Sequence, residues 1–381
     1  MKKALKLVVL TVAGLLMLGA LGFMAINSTD SKLNPAAAAL IEREQAHLDP
    51  PGNAYYPLVG LQLPGDGDPE TKGREFVAKL SSMTLTKRIG YEQKTFEPLV
   101  KLSDVPDCLP RKSSCLVAYQ ANKGRIRAAI RKYRALLDAY SSTVRDYHVF
   151  YEAGEASGWY PVVFGAHKLY TLQTLDLWTA GHPQRALPKL SRDVRFWRMI
   201  LSDTHRSITR TVAAAILAED YGLASEFLRA CMACRETTFA AKLLAPLTPE
   251  ERDPTKAREG EFVRNVMLMK EADDETKNTE SIWRRIFYRR NRIVNALYLE
   301  LQDEIRLANA GPERRAHLAK ELDEKYAIGS SLVSWLDLYV HPNSKMLAAI
   351  TWASRGNAYG DPVRKLERYR AQIAKSVRFE H

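Results

Sequence analysis

Apolar residues recur every three or four positions along most of this chain, which is the spacing of one face of an α-helix. The clearest apolar stripe runs from Ile126 to Tyr147, with arginines on the opposite face. Other stripes cover 187–201, 208–231, 282–301, 332–339 and 366–373, and Gly or Pro breaks at 158–161, 181–183, 246–254, 311–312 and 341–342 fall between stripes. Short breaks between amphipathic helices favour antiparallel neighbours. The sequence therefore predicts a mostly α fold, either an irregular multi-helix bundle or an array of helical hairpins.

The stretch before residue 70 follows a different pattern. A helix is predicted over 36–47, and the apolar run 58–64 is the only segment that favours an extended strand. Asp66, Asp68 and Glu70 follow that run, but they lack the ligand spacing and the closing Glu of a calcium-binding loop. The pattern instead predicts a turn and a capped helix that starts at Pro69.

The N-terminus carries the strongest signal in the chain. Lys2, Lys3 and Lys6 precede 7–26, twenty residues without a charge. At about 1.5 Å of rise per residue, a helix of this length crosses a hydrocarbon core of roughly 30 Å, with its basic end in the cytoplasm. The sequence therefore predicts a single-pass inner-membrane protein with its C-terminal domain in the periplasm.

Cleavage of this segment is the alternative, because Ala20 and Gly22 satisfy the small-x-small rule of signal peptidase sites. Cleavage would leave a secreted or periplasmic protein. In either case the sequence divides into an anchor or signal segment (1–26), a linker with the extended segment (27–68) and an α-helical exported domain (69–381).

Composition and charge narrow the class of partner. Hydrophobic residues at 46% and charged residues at 26% are typical of a globular protein. The net charge is +12, and subtracting the three N-terminal lysines leaves +9 for the rest. Export argues against nucleic acid as the target of this charge, so the predicted partners are the inner membrane through 7–26 and an envelope protein or anionic lipid.

Four cysteines form two close pairs, Cys108 with Cys115 and Cys231 with Cys234. An oxidising compartment favours disulfides, and proximity favours pairing within each pair, although three connectivities are possible. Cys231 and Cys234 form a C-x-x-C motif, which invites a redox role. Such motifs depend on a helix N-terminus, whereas this motif is predicted well inside a helix, so a structural bridge is favoured.

Candidate catalytic residues are few. His148 and Glu152 are four residues apart on the predicted helix and would share a face, and His167 folding nearby would complete a metal or acid–base site. Pairs of this kind also arise by chance on long helices, and no phosphate loop, nucleophile elbow or paired metal motif is present. No cofactor and no metal is predicted.

The densest basic and aromatic stretch covers 283–292. On a helix its rings face the core, while Arg285, Arg289 and Arg292 form a flank that could contact membrane phosphates or an acidic partner. The alternative is a solvated face that pairs with acidic residues of neighbouring helices.

Several short islands occur in an order that resembles a group of uncharacterised proteobacterial proteins with an N-terminal membrane segment. The islands are 53–61, Asp68-Pro69 with Gly73, the Cys108/Cys115 pair, and 341–347 with Tyr369 further on. Ser344-Lys345 departs from the Val-Gly-Lys expected at that place. The resemblance implies a single envelope module and no particular activity.

The sequence favours a membrane-anchored periplasmic protein that works by binding, as a scaffold or accessory factor of the cell envelope. The alternative is an envelope hydrolase or metal-dependent enzyme built around His148 and Glu152. A third hypothesis is a folding helper that holds exported clients near the membrane. A deep pocket around perturbed His and Glu groups would favour the enzyme, and a broad apolar or basic groove would favour binding.

Overall fold

The computed structural model describes residues 11–15, 17–19, 21–22, 30–46, 49–61, 63, 67–95, 114–152, 160–231, 234, 238–276, 289–326 and 362–379. These residues are mostly helical and form no strand; an isolated parallel bridge joins Asn53 to Val149. The predicted α class is therefore confirmed. No helix within these ranges has both the length and the apolar character needed to cross a membrane.

The named helices are, in chain order, α1 (Pro35–Gln45), α2 (Tyr55–Gly60), α3 (Pro69–Ser81), α4 (Leu85–Thr95), α5 (Cys115–Lys132), α6 (Arg134–Asp146), α7 (Tyr160–Thr179), α8 (Pro183–Asp203), α9 (Ser207–Ala230), α10 (Thr238–Leu243), α11 (Pro249–Arg252), α12 (Thr255–Thr276), α13 (Arg290–Asn309), α14 (Pro312–Tyr326) and α15 (Pro362–Phe379). Contacts divide the chain into two compact units. The first unit comprises 1–46 and 262–359, and the second comprises 47–261 and 360–381. The division predicted at residues 26 and 68 stays a prediction.

Three consecutive helices, α7, α8 and α9, form the centre of the second unit. Helix α9 packs against α8 and α15, α8 packs against α7, and α7 packs against α5 and α6. Almost every residue of α9 from Val212 to Leu228 is buried, so other elements enclose this largely apolar helix on all sides. Trp197 on α8, next to Phe196, is the largest fully buried side chain among the described residues. Side chains on these three helices are therefore well placed to form a buried site.

The predicted extended segment at 58–64 is wrong where the structure describes it. Residues 55–60 form helix α2, and every residue of that helix is buried. A short, continuous apolar run does not distinguish a buried helix from a buried strand, because neither exposes a polar face. The α2 and α3 backbones approach so closely that a Cβ atom on Gly73 would overlap the Tyr56 carbonyl.

Other boundaries follow their local chemistry. Asp68 caps α3 by accepting a hydrogen bond from the Thr71 backbone N–H at 2.9 Å, which confirms the predicted capped helix at Pro69. Residues 64–66 of the predicted turn lie outside the described residues. The predicted helix over 36–47 is found at 35–45, capped by Asn34. The long stripe from Ile126 to Tyr147 belongs to two helices, because Tyr133 leaves the helical conformation between α5 and α6.

Helix α5 begins on a carboxylate supplied by α9. Glu226 accepts hydrogen bonds from the Cys115 N–H at 2.8 Å, the Leu116 N–H at 3.0 Å and the Ser114 hydroxyl at 2.9 Å. The first N–H groups of a helix lack partners within that helix, and an anion there also meets the positive end of the helix dipole. Glu226 therefore fixes α5 to the central helices.

In the first unit, α1 packs against α13. The Asn295 side chain on α13 accepts a hydrogen bond from the Asn34 N–H at 2.7 Å, so it holds the start of α1 in place. The core of this unit combines residues of α1, α12 and α13 (Ala37, Leu40, Phe262, Val263, Val266, Ile293, Val294, Leu297 and Leu301). Helices α13 and α14 share a smaller apolar cluster that includes Leu307, Leu318 and Leu322.

Candidate functional site

The structure does not bring His148 and Glu152 together. Helix α6 ends at Asp146, so the two residues do not share a helical face, and that part of the prediction is wrong. The Asn53 side chain holds the following residues in an extended conformation by bonding to both the N–H and the carbonyl of Tyr151. His148 is exposed, and no hydrogen bond or ion pair joins it to Glu152.

Glu152 instead holds the start of α9. Its carboxylate accepts hydrogen bonds from the His205 N–H at 2.7 Å, the Thr209 hydroxyl at 2.5 Å and the Thr204 hydroxyl at 3.0 Å. A carboxylate with this many donors is a structural acceptor with little capacity left for a substrate.

His167 is the one candidate of that set that lies in a cluster of titratable groups. It is fully buried on α7, and its Nε2 lies 3.0 Å from Asp220 Oδ1 on α9 and 3.2 Å from Asp193 Oδ2 on α8. Both aspartates are also fully buried. The His167 cluster, defined as His167, Asp193 and Asp220, therefore joins the three central helices.

A second layer of polar groups surrounds this cluster. The Tyr140 hydroxyl donates to Asp193 Oδ1 at 2.9 Å, and it accepts a hydrogen bond from Trp197 Nε1 at 2.8 Å. On the other side of the imidazole, His167 Nδ1 lies 3.6 Å from Glu219 Oε2, and Glu219 is partly exposed. Tyr140 thus orients Asp193 by a hydrogen bond, whereas Glu219 faces Nδ1 without forming one.

Burial and mutual charge shift the protonation of the His167 cluster. Burial, followed by the charge of Asp193, raises the pKa of Asp220 to about 7. Burial also disfavours the imidazolium of His167, yet the carboxylates of Asp220 and Asp193 outweigh this effect and raise the pKa of His167 well above its ordinary value. The cluster therefore retains protons in the folded protein that separate groups would release.

Lys189 lies one turn before Asp193 on α8. Its side chain is buried, and Nζ lies 3.2 Å from the centroid of the Tyr170 ring. Burial is the main cause that lowers the pKa of the Lys189 amine to about 7, although the nearby Asp193 carboxylate acts in the opposite direction. The folded protein therefore binds a proton here more weakly than the unfolded chain.

Replacing Lys189 by Met should change how stability depends on pH. Between pH 7 and pH 10.5 the unfolded lysine binds more protons than the folded one, so this residue makes wild-type stability rise with pH. The stability of Lys189→Met relative to wild type should therefore fall by about 2 kcal/mol between pH 6 and pH 9, measured by urea unfolding. Lys123→Met, at an exposed position of α5, is the matched control. The same pH trend in both variants would contradict this assignment.

The outer face of α8 borders a cleft of about 960 Å³ in the second unit. Val194 and Met199 contribute its apolar surface, and the segment from Lys242 to Glu251 forms the facing wall. Arg198 fixes that wall, because its guanidinium binds both oxygens of Glu251 at 2.7 Å and donates to the carbonyls of Ala245 and Pro246. The α8 cleft is therefore a built feature with a rigid side.

Some charged side chains of the α8 cleft form ion pairs and others do not. Arg198 and Glu251 neutralise each other, and Asp203 lies 3.7 Å from the amine of Lys256. Arg192, Arg195 and Lys242 are exposed in the lining, and they form no ion pair with any residue that the structure describes. Glu250 is the remaining acid of the lining, so the cleft presents a surplus of positive charge next to apolar surface.

The predicted arginine flank is described only in part. Arg285 lies outside the described residues. Arg289 and Arg292 are half-buried, and the backbone N–H of Arg292 binds Asp30 Oδ1 at 3.2 Å in the first unit. The binding surface formed by these three arginines stays a prediction.

Cys231 and Cys234 form a disulfide, as predicted. The sequence predicts this pair well inside a helix. That position is wrong, because α9 ends at Ala230 and the pair follows its C-terminus. A helix C-terminus disfavours a thiolate, so this position also argues against redox chemistry. Cys115 is buried and disulfide-bonded, and Cys108 lies outside the described residues.

Sequence reasoning missed Asp193 and Asp220, although a signal was present. Asp193 falls among Leu190, Val194 and Trp197 at the spacing of the buried stripe of α8, and Asp220 falls within the apolar run of α9. An acidic residue at a buried position of an apolar stripe needs a partner, and this rule identifies both Asp193 and Asp220 as candidates.

Comparisons with models of protein families, with curated proteins and with solved structures found no match.

Proposed function

We propose that this protein is a binding factor of the cell envelope that holds an acidic segment of an exported partner protein in the α8 cleft. The observation that carries the proposal is the set of three exposed cations, Arg192, Arg195 and Lys242, in the cleft lining. Each lacks an ion-pair partner among the described residues. A partner carboxylate would supply that missing charge.

The shape of the α8 cleft favours a protein segment over a lipid surface. Its volume of about 960 Å³ is at the upper end of small-ligand sites, so it has room for several side chains. A membrane surface is broad and does not enter a recess between α8 and the 242–251 wall. Glu250 in the lining would repel phosphates, whereas a segment of mixed charge can place a basic residue opposite it.

The location of this function follows from the N-terminus. We infer that 7–26 anchors the chain in the inner membrane and that the helical body lies in the periplasm, with cleavage at the signal segment as the alternative. The Cys231–Cys234 disulfide supports an oxidising compartment. An envelope hydrolase or metal-dependent enzyme at His148 and Glu152 has less support, because these side chains do not converge and Glu152 is occupied by structural hydrogen bonds.

Photo-crosslinking from the cleft in intact cells tests the proposal. A photoreactive amino acid at Ser202, a half-buried residue of the lining, should capture an exported protein through an acid-rich peptide that mass spectrometry identifies. Arg192→Glu with Arg195→Glu should reduce the yield of that product at least about tenfold, because reversed charges would repel the same segment. The affinity of the purified pair should also fall as salt rises, because screening weakens attraction between exposed charges.

The matched control is Arg125→Glu with Arg131→Glu, which makes the same charge change on the exposed surface of α5. These substitutions should leave crosslinking unchanged. Equal losses in both double variants would contradict the proposal, because they would show a general charge effect. Crosslinks confined to anionic lipid would replace the protein partner by the membrane, and a cytosolic partner would contradict the periplasmic location.

A further inference from the structure

We propose that the His167 cluster binds one divalent transition-metal ion, with Zn²⁺ the best fit, and that this ion joins α7, α8 and α9. The site is independent of the α8 cleft, since none of its three ligands lines the cleft. It would give the binding body a metal-dependent stability that the proposed function does not require.

Several polar atoms of this cluster have no hydrogen-bond partner. His167 Nδ1, Asp193 Oδ2 and Asp220 Oδ2 are buried and form no hydrogen bond. One hydrogen on Nε2 cannot serve two carboxylates, although both lie within 3.2 Å of it. Buried polar atoms without partners cost about 1–3 kcal/mol each. A cation placed among Nε2 and the two carboxylates would satisfy the carboxylate oxygens together.

The distances suit a small tetrahedral ion. One ligand atom from each of His167, Asp193 and Asp220 lies within 4.8 Å of the others. Zinc bonds of about 2.0–2.2 Å at tetrahedral angles place neighbouring ligand atoms roughly 3.3–3.6 Å apart. The two distances from Nε2, 3.0 and 3.2 Å, therefore need to open by only a few tenths of an ångström.

Ligand chemistry separates Zn²⁺ from the hard cations. Two carboxylates and a neutral imidazole carry a charge of −2, which a divalent ion neutralises inside the protein. Calcium prefers six to eight oxygen ligands and magnesium prefers an octahedron of oxygens that includes water, whereas imidazole suits zinc and its transition-metal neighbours. The enclosed set of one nitrogen and two carboxylates therefore favours zinc.

The second layer matches what a histidine ligand needs. A metal bound at Nε2 requires the proton on Nδ1, and Glu219 Oε2 lies 3.6 Å from Nδ1, where a small movement of this partly exposed side chain would make a hydrogen bond. Tyr140 orients Asp193 by donating to the oxygen that faces away from His167. Both are positioning residues for the proposed ligands.

Burial defines the role of the ion. All three ligands are fully buried, so a substrate cannot reach the metal from solvent. The second oxygen of Asp220 is buried and has no hydrogen-bond partner, so it is available for the fourth position that a structural zinc ion needs. Structural metal ions are closed to substrate, whereas catalytic ones keep an accessible position. We expect the ion to enter during folding and to stabilise the contact of the three helices, because the ligands come together only in the folded chain.

Metal analysis of the full-length protein tests this site. Protein unfolded in urea with a chelator, refolded with Zn²⁺ and separated by gel filtration should retain about one zinc per chain. Its Tm should exceed that of protein refolded without metal by about 5 °C or more. X-ray absorption at the zinc edge should show imidazole nitrogen and oxygen ligands without sulfur. A wild-type protein that retains no zinc, shows no change in Tm, or holds zinc through sulfur would overturn the proposal.

Variants locate the ion. His167→Gln and Asp220→Asn should lose the bound zinc, whereas Glu152→Gln, which alters a carboxylate that is not a ligand, should retain it. Circular dichroism checks that each variant is folded. Glu219→Ala keeps all three ligands but removes the acceptor that faces Nδ1, and it should weaken zinc binding by about tenfold or more. It therefore tests the site even if the ligand variants do not fold. Undiminished zinc in His167→Gln, or unchanged affinity in Glu219→Ala, would count against the site.

Discussion

Replacing Gly73 by Ala should destabilise the second unit by about 3 kcal/mol, the upper range for inserting one methyl group into a packed interior. The added Cβ would overlap the carbonyl of Tyr56, because α2 and α3 cross with their backbones in contact at this point. A backbone carbonyl cannot rotate away as a flexible side chain can, so the two helices must separate. Separation would disturb the packing of buried apolar side chains on both helices, such as Leu58 on α2 and Leu80 on α3.

Gly124→Ala is the matched control for this substitution. Gly124 is an exposed residue within α5, and a Cβ there would have no neighbour within 4 Å. Alanine should stabilise that helix by about 0.5–1 kcal/mol relative to glycine. Urea unfolding followed by circular dichroism measures both effects. If Gly73→Ala is as stable as wild type, the close approach of α2 and α3 is wrong.

The helical part of the fold is readable from the sequence because amphipathic helices carry their own period. The breaks at 181–183 and 311–312 lie between helices in the structure, since Pro183 and Pro312 each begin a helix. The stripe from Ile126 to Tyr147 suggests a single helix, because its apolar spacing continues past Tyr133. The structure has two helices there, which meet at Tyr133. The period of apolar residues indicates which side chains are buried, but it says less about where one helix ends and the next begins.

The α2 segment shows where such reasoning fails. Every residue of 55–60 is buried, so no polar position reveals the period, and a buried helix reads like a buried strand. What distinguishes them is the contact between α2 and α3, which depends on Gly60 and Gly73 lacking side chains. Both glycines are visible in the sequence, but the approach of Gly60 to Pro69 and of Gly73 to Tyr56 depends on the tertiary fold.

The candidate site was still less accessible from the sequence. His167 is separated from Asp193 and Asp220 by 26 and 53 residues, so no local motif joins them. Helical spacing predicts that Glu152 and His148 form one site. Asn53 instead holds that segment in an extended conformation through its hydrogen bonds to Tyr151. Sequence spacing identifies sites within one element, and this cluster is assembled from three.

One helix supports both proposals. On α8 the side chain of Asp193 is fully buried in the His167 cluster. Arg192 and Arg195, on the same helix, are exposed in the cleft. These positions lie on different faces of a helix, so the core and the cleft can be altered separately. Substitutions at Arg192 and Arg195 should therefore change binding without removing the buried carboxylates.

Replacing Asp193 by Ala should destabilise the protein by about 3–5 kcal/mol, the cost of removing one partner from a buried ionic group. The substitution leaves the Tyr140 hydroxyl without its acceptor and takes one counter-charge from His167. Both groups are enclosed, so solvent cannot replace the lost carboxylate. Urea unfolding at pH 7 in the presence of a chelator measures this loss without any contribution from bound metal.

Asp138→Ala on α6 is the control for Asp193→Ala, because Asp138 is an exposed carboxylate paired with Arg134 on the same helix and should contribute less than about 1 kcal/mol. Asp193→Asn should lie between the two, since its amide oxygen can still accept from Tyr140. The order Asp138→Ala, Asp193→Asn, Asp193→Ala of increasing loss is specific to a buried, hydrogen-bonded charge. A loss of less than about 1 kcal/mol in Asp193→Ala would mean that water reaches the His167 cluster, and the enclosed metal site proposed there would then be excluded with it.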